Sequence, residues 1–234
     1  MFKTFHRITT TTTDSGGNGF TIVELLIATL VFSMILLLIT VGVIRFTQAY
    51  YGGIVQSDTQ NVARTILENV SQDIQFDGGT VSLPQSGVNN EYYFCVGDDW
   101  YSFLPGWQLT GTNNSALHQT KHAFIENVPG NTNNPGDTCS GAGAQNFSNA
   151  NVYGTELMDD NMRLANLTIS QVGTGNLYKV DVRVVYGDDD LLYSPSGNAL
   201  GPAAPDAACQ SGISGSNFCA VSNLSTIVEQ RVSN

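Results

Sequence analysis

Gly19-Phe20-Thr21-Ile22-Val23-Glu24-Leu25-Leu26-Ile27-Ala28 opens the stretch that decides the architecture. It leads into twenty consecutive residues, Leu25 to Ile44, without a charge. As a helix rising 1.5 Å per residue, such a run covers the bilayer core of about 30 Å. Lys3, His6 and Arg7 precede it, and most of the acidic residues follow it. The positive-inside tendency therefore keeps the start of the chain cytoplasmic and sends the body outward. An ordinary secretory signal carries its small-residue cleavage site after the apolar region. Here the small residue, Gly19, stands in front of it.

That inverted order, with Phe20, Thr21 and Glu24 following the glycine, resembles the class III signal of type IV prepilins and type II secretion pseudopilins. The resemblance implies cleavage after Gly19 by a prepilin peptidase, with Phe20 as the new, N-methylated N-terminus and Glu24 as the fifth mature residue. It also implies other pilin or pseudopilin subunits and an inner-membrane assembly platform as partners. Glu24 has a physical reading of its own. A carboxylate one turn into a membrane helix is costly in lipid and requires a partner. An amine created at Phe20 would stand near enough to pair with Glu24 of the same or an adjacent subunit, neutralising the charge and setting register. The competing reading is a Glu that snorkels to the headgroups and does nothing specific.

Beyond Ile44 the apolar pattern thins without stopping. Phe46, Tyr50, Val55, Val62, Ile66, Val70 and Ile74 recur mostly at three- and four-residue offsets, as in an amphipathic extension of the same helix. From Phe20 to about Phe76 that helix would reach roughly 80 Å. Gly52 and Gly53 fall where helix propensity is lowest, so a kink or a close packing contact is expected there. Gly78-Gly79 supplies the stop. Within Asn61–Gln75, Arg64, Leu67 and Asp73-Ile74 resemble the second half of the helix in minor pilin W and the J-type minor pseudopilins.

The domain reading is a leader over residues 1–19, a transmembrane or filament-core helix over 20–44, a helix extension over 45–77 and a β-rich extracytoplasmic body over 78–234. The expected fold class is α+β, a long N-terminal helix packed on an antiparallel sheet, pilin-like. Residues 91–103 (EYYFCVGDDWYSF) read as two strands around a tight turn. Pro105 to Asn151 is dense in Gly, Asn, Ser and Thr and reads as a long surface loop with at most short elements. Leu164–Val172 and Leu177–Tyr186 form the clearest hairpin, with Tyr178, Val180, Val182, Val184 and Tyr186 on one face. Lys179, Asp181 and Arg183 should meet solvent on the other. A final strand is expected from Phe218 to Val232, where Phe218-Cys219-Ala220-Val221 loosely resembles the last strand of minor pilin W-like proteins.

The chain holds 9 Lys and Arg against 20 Asp and Glu, a formal net charge of -11. Such a surface repels phosphate backbones, and the basic residues of the body are too scattered for a nucleic-acid track, so direct nucleic-acid binding is disfavoured. All four cysteines, Cys95, Cys139, Cys209 and Cys219, lie beyond the apolar run, and an even number in that position reads as two disulfides. Three pairings are open; sequence proximity favours Cys95 with Cys139 and Cys209 with Cys219. Four unpaired, buried cysteines are the alternative.

His118 and His122 have a spacing that lets two imidazoles share a metal on a helix, but HQTKH lacks the Glu of a zinc-protease motif. Asp188-Asp189-Asp190 could hold calcium, as loops in some major pseudopilins do, or form a solvated turn. No other cofactor is expected. No Ser-His-Asp arrangement, phosphate-binding glycine loop or zinc-spaced cysteine pair occurs, and enzyme activity is not expected. The resemblance therefore implies a structural role, in a filament serving adhesion, twitching, DNA uptake or protein secretion. At 25.1 kDa with long loops, the chain reads as a minor subunit. The alternatives are a membrane-anchored adhesin that presents binding loops on the cell surface, and an anchored hydrolase that is never cleaved.

Overall fold

A computed structural model describes residues 19–76, 79–86, 91–109, 122–127, 147, 154–195, 205–213 and 215–231. The chain divides into two compact units, Met1–Phe46 and Thr47–Asn234. One helix, α1 (Ile22–Phe76), contributes to both.

In the first unit every described helical residue, Ile22 to Phe46, is exposed, including Leu26, Phe32, Leu37 and Ile44. One window of this helix reaches a mean hydropathy of 2.8, enough by length and composition to cross a membrane. Its hydroxyl groups are satisfied within the helix. Thr29 Oγ1 donates to the Leu26 carbonyl at 3.0 Å, Ser33 Oγ to that of Thr29 at 2.7 Å, and Thr40 Oγ1 to that of Leu36 at 2.8 Å. Such back-bonding removes the penalty that free hydroxyls would meet in hydrocarbon.

In the second unit the helix turns a stripe of Val55, Thr59, Val62, Ala63, Ile66, Val70 and Ile74 inward. The spacing is helical, with steps mostly of three and four residues. Phe46 and Tyr50, expected to continue the stripe, are instead exposed. Nor does the helix break at Gly52-Gly53. A Cβ on Gly52 would lie 3.1 Å from the Asn217 carbonyl oxygen, whereas one on Gly53 would meet nothing within 4 Å. Close approach of the chain at 217 accounts for the first glycine.

The body is built from antiparallel sheets. The first contains β1 (Gln85–Ser86), β2 (Tyr92–Val96), β3 (Asp99–Phe103), β4 (Phe124–Asn127) and β5 (Thr155–Glu156) in sequential order. The second contains β6 (Met162–Gln171), β7 (Leu177–Tyr186) and β10 (Ala220–Glu229), with β7 central. Among the described residues a third, small sheet pairs β8 (Leu192–Tyr193) with β9 (Ala208–Cys209). The long helix and antiparallel strands make the α+β class expected from the sequence, although the expected single sheet is divided.

Both predicted hairpins form. Phe94 pairs with Tyr101 and Cys95 with Trp100 across the β2–β3 turn, and Leu167 pairs with Val182 across β6–β7. The last strand is shorter than the expected Phe218–Val232: Ser216–Phe218 is a turn of 3-10 helix, and the strand runs from Ala220 to Glu229. Ile66, Val70 and Ile74 share one core with Phe94, Tyr101 and Phe124 of the first sheet and Val180, Val182 and Val184 of the second. The opposite face of β7 is only partly solvated. Val185 packs there with Ala165, Leu192 and Ala207, and Arg183 donates to the Ala207 carbonyl from Nη2 at 2.8 Å. Of the expected loop at Pro105–Asn151, residues 124–127 form β4, and Leu109 and Phe147 are buried.

Candidate functional site

The N-terminal junction is built around the first helical turn. Gly19, Phe20 and Thr21 precede the helix in exposed, non-helical backbone, and Phe20 is 83% exposed. Thr21 caps the helix. Its Oγ1 accepts from the Glu24 N–H at 3.2 Å, and the Thr21 N–H donates back to Glu24 Oε2 at 3.1 Å. The Thr21 hydroxyl also donates to Oε2, at 3.0 Å. This reciprocal pair is a capping box, in which a hydroxyl residue and an acid three positions later satisfy helix-end donors. The pattern Thr-x-x-Glu was visible in the sequence, and it gives Thr21 a part that the junction reading had left to Glu24 alone. A carboxylate here is also aligned favourably with the helix dipole. Both side-chain bonds fall on Oε2, so Oε1 has no donor among the described residues.

Cys209 and Cys219 are joined, with Cα atoms 5.7 Å apart, as sequence proximity favoured. Cys95 is also disulfide-bonded, and Cys139 lies outside the described residues.

The three adjacent aspartates do not converge. Asp189 pairs with the buried Arg163 at 2.7 Å, and Arg163 Nη2 also donates to the Gly187 carbonyl at 2.8 Å. Asp188 accepts from Gln108 Nε2 at 3.3 Å, while Asp189–Leu191 forms one turn of 3-10 helix. A guanidinium thus supplies the positive charge on which the calcium reading depended. His122 Nδ1 lies 3.2 Å from Glu156 Oε2, and His118 lies outside the described residues. Glu156 also accepts the backbone N–H groups of Ala123, Phe124 and Met158, which fastens β5 to β4. Among the described residues no group of three or more His, Cys, Asp or Glu is arranged to hold a metal ion.

A second set of acids surrounds the end of the helix. Tyr101 donates its hydroxyl to Asp73 across the interface between α1 and β3. Burial, reinforced by Asp73, pushes the Tyr101 phenol well above its ordinary range. Burial also raises the Glu126 carboxyl, and the charges of Asp73 and Asp99 raise it further. Glu91 is raised by burial as well, against the opposing effect of the hydrogen bond it accepts from the Phe147 N–H at 3.0 Å. These groups join elements of the body.

Comparison of the chain with protein-family models, curated proteins and solved structures gives no match.

Proposed function

We propose that the chain is a type IV pilin-like subunit, a minor pilin or pseudopilin that is cut after Gly19 and primes or caps an extracytoplasmic filament. The observation that carries this reading is the junction itself. An exposed, non-helical Gly19-Phe20-Thr21 stands before a helix whose residues 22–46 are all uncovered, with Glu24 the acid of its first turn. A peptidase needs accessible, non-helical chain at the scissile bond, and that segment offers it. Twenty-five helical residues without a buried side chain need an apolar environment, which lipid supplies before assembly and neighbouring subunits supply afterwards. The body would then face outward from the cytoplasmic membrane, in keeping with its disulfide.

The chemistry of the cut fits the cap. Cleavage converts the Phe20 amide into a positive amine beside Thr21, within one turn of a carboxylate whose Oε1 lacks a donor. Sequencing the mature N-terminus tests the first step: methylated Phe20 supports the reading, and an intact Met1 sinks it. Glu24→Ala tests the second. Processing is expected to persist while incorporation into filaments falls, and normal incorporation would remove the assembly role. A deletion strain scored for piliation, transformation and secretion would then assign the machine.

A further inference from the structure

The outer strands of the second sheet, β6 and β10, have differently finished edges. β6 carries a bulge between Leu164 and Asn166, and its Met162 and Leu164 carbonyls accept from the Leu109 and Gly106 N–H groups at 2.9 and 2.7 Å. β10 has neither device. Its ten residues pair with β7 without a register shift, and they include no Pro and no Lys. Natural sheets ordinarily blunt an edge of that length, because a free row of N–H and C=O groups is a template for another strand.

The hydrogen bonds at the two ends of β10 fix which of its groups face outward. The Gln230 N–H points to the β7 side and donates to the Asn176 carbonyl at 2.8 Å. The Val221 carbonyl instead accepts from Gln56 Nε2 at 3.4 Å, and the Arg231 N–H donates to the Gln75 carbonyl at 3.2 Å, so both of these residues turn to α1. Alternation along the strand then points the backbone groups of Asn223, Ser225, Ile227 and Glu229 away from β7 as well. Among the described residues nothing pairs with them.

A groove of about 300 Å³ lies between Thr226–Glu229 and the flank of α1 at Glu68, Ser71, Gln72 and Gln75. Ser71 Oγ is buried with no hydrogen-bond partner among the described residues, and Ile227, which also lines the groove, is 60% exposed. Glu68 and Glu229 are its charged groups, and neither forms an ion pair among the described residues. Arg231, close by in sequence, lies over the Phe76 ring at 5.1 Å.

We infer that the free edge of β10 takes an extended, basic segment of a partner protein as an added strand, with lysine or arginine side chains against Glu68 and Glu229. Donors and acceptors repeating every second residue, about 6.8 Å, are matched by another extended backbone. The two acids select the charge of that occupant. A second copy of the chain fits less well, because its own β10 brings no cation and Glu229 is the one charged residue it carries. The site lies wholly within the unit Thr47–Asn234 and depends on neither the membrane nor the filament reading.

The test titrates the full chain in phosphatidylcholine nanodiscs with a fluorescent, end-blocked peptide alternating valine with lysine, and with the same peptide carrying glutamate for lysine. Binding is read by anisotropy against empty nanodiscs, and its place by amide hydrogen exchange. The lysine peptide is expected to bind saturably, and the glutamate peptide not to bind. At about ten times its dissociation constant, the lysine peptide should slow exchange of the Asn223, Ser225, Ile227 and Glu229 amides about tenfold. Ile227→Pro deletes an outward N–H and no bond to β7, so it should abolish binding while exchange in β7 stays parental. Glu68→Gln combined with Glu229→Gln leaves the edge intact and should weaken the lysine peptide. If Ile227→Pro disturbs β7, the glutamine pair and the exchange pattern of the parent decide. A lysine peptide that fails to bind, or that binds a folded Ile227→Pro as well as the parent, overturns the added strand. Equal affinity for the two peptides, or no loss in the glutamine pair, overturns the basic occupant. Self-association of the parent that Ile227→Pro abolishes would assign the edge to a second copy and overturn the proposal.

Discussion

Gly52 and Gly53 are adjacent in sequence but differ in surroundings, and that difference can be measured by replacing each in turn with alanine. In an exposed helix interior, Gly→Ala stabilises by about 1 kcal/mol, chiefly because the unfolded chain loses freedom. At Gly53 the new methyl meets nothing within 4 Å, so the full gain should appear. At Gly52 it would lie 3.1 Å from the Asn217 carbonyl oxygen, a few tenths of an ångström inside ordinary contact. Asn217 cannot withdraw freely. Its turn is tied at Cys219 by the disulfide and leans on Tyr51 through Phe218. Overpacking commonly costs about 1–3 kcal/mol, which cancels or exceeds the propensity gain.

The assay is amide hydrogen exchange of the full chain in lipid nanodiscs, read over residues 50–56 and 215–219. Gly53→Ala should slow exchange in the helical segment about fivefold, the equilibrium equivalent of 1 kcal/mol. Gly52→Ala should leave the helix near the parental rate and speed exchange in the turn. Equal protection from both substitutions would refute the argument, because the turn would then not press on Gly52. A separate outcome concerns assembly. If Gly53→Ala protects the helix yet blocks filament formation, the unfilled glycine is needed for bending and not for packing.

Replacing both Cys209 and Cys219 by serine should destabilise the body by about 3 kcal/mol in the loop-entropy model and lower its Tm by roughly 6–12 °C. A loss near zero would mean that the contacts of Phe218 and Gly52 already hold the loop. Glu126→Gln tests the acidic cluster through pH. Because the folded carboxyl is raised above its ordinary 4.5, the parent loses stability as pH rises from that value through the folded pKa. Thermal melts should therefore show Glu126→Gln more stable than the parent at neutral pH and the gap closing towards pH 4; a gap independent of pH would contradict the assignment.

Legibility in the sequence followed the length of the pattern. The helix announces itself through twenty uncharged residues and then through Val62, Ile66, Val70 and Ile74, and β7 through five alternating apolar positions. The first sheet is harder to read because β1 and β5 have two residues each and β4 has four. No period can show in so short a segment. What fastens them is Glu156, which accepts three backbone donors, and such a role leaves no mark in local sequence. Arg163 and Asp189 are likewise 26 residues apart, so the sequence left the aspartate run open between a calcium loop and a solvated turn until the arginine was located. At the junction the reverse holds: Thr21-x-x-Glu24 is a local pattern and was readable in full.

That pattern bears on why an acid is tolerated at this point of the helix. The hydroxyls of Thr29, Ser33 and Thr40 bond within the helix, so Glu24 is the main polar liability of residues 22–44. Thr21 lessens it by engaging Oε2 with two donors, while leaving Oε1 without one among the described residues. On the proposed reading the precursor can therefore hold the carboxylate at the membrane edge without a counter-ion, and the cut at Gly19 supplies one only when the subunit is ready to assemble. Thr21→Val separates the two stages. It removes the hydroxyl without altering the cut, so the precursor helix should fray at Ile22–Glu24, while the amine that cleavage creates at Phe20 stays available to the mature subunit. If Thr21→Val leaves both the exchange of these amides and the yield of processed subunit unchanged, the cap has no part in storing the carboxylate, and the amine alone explains Glu24.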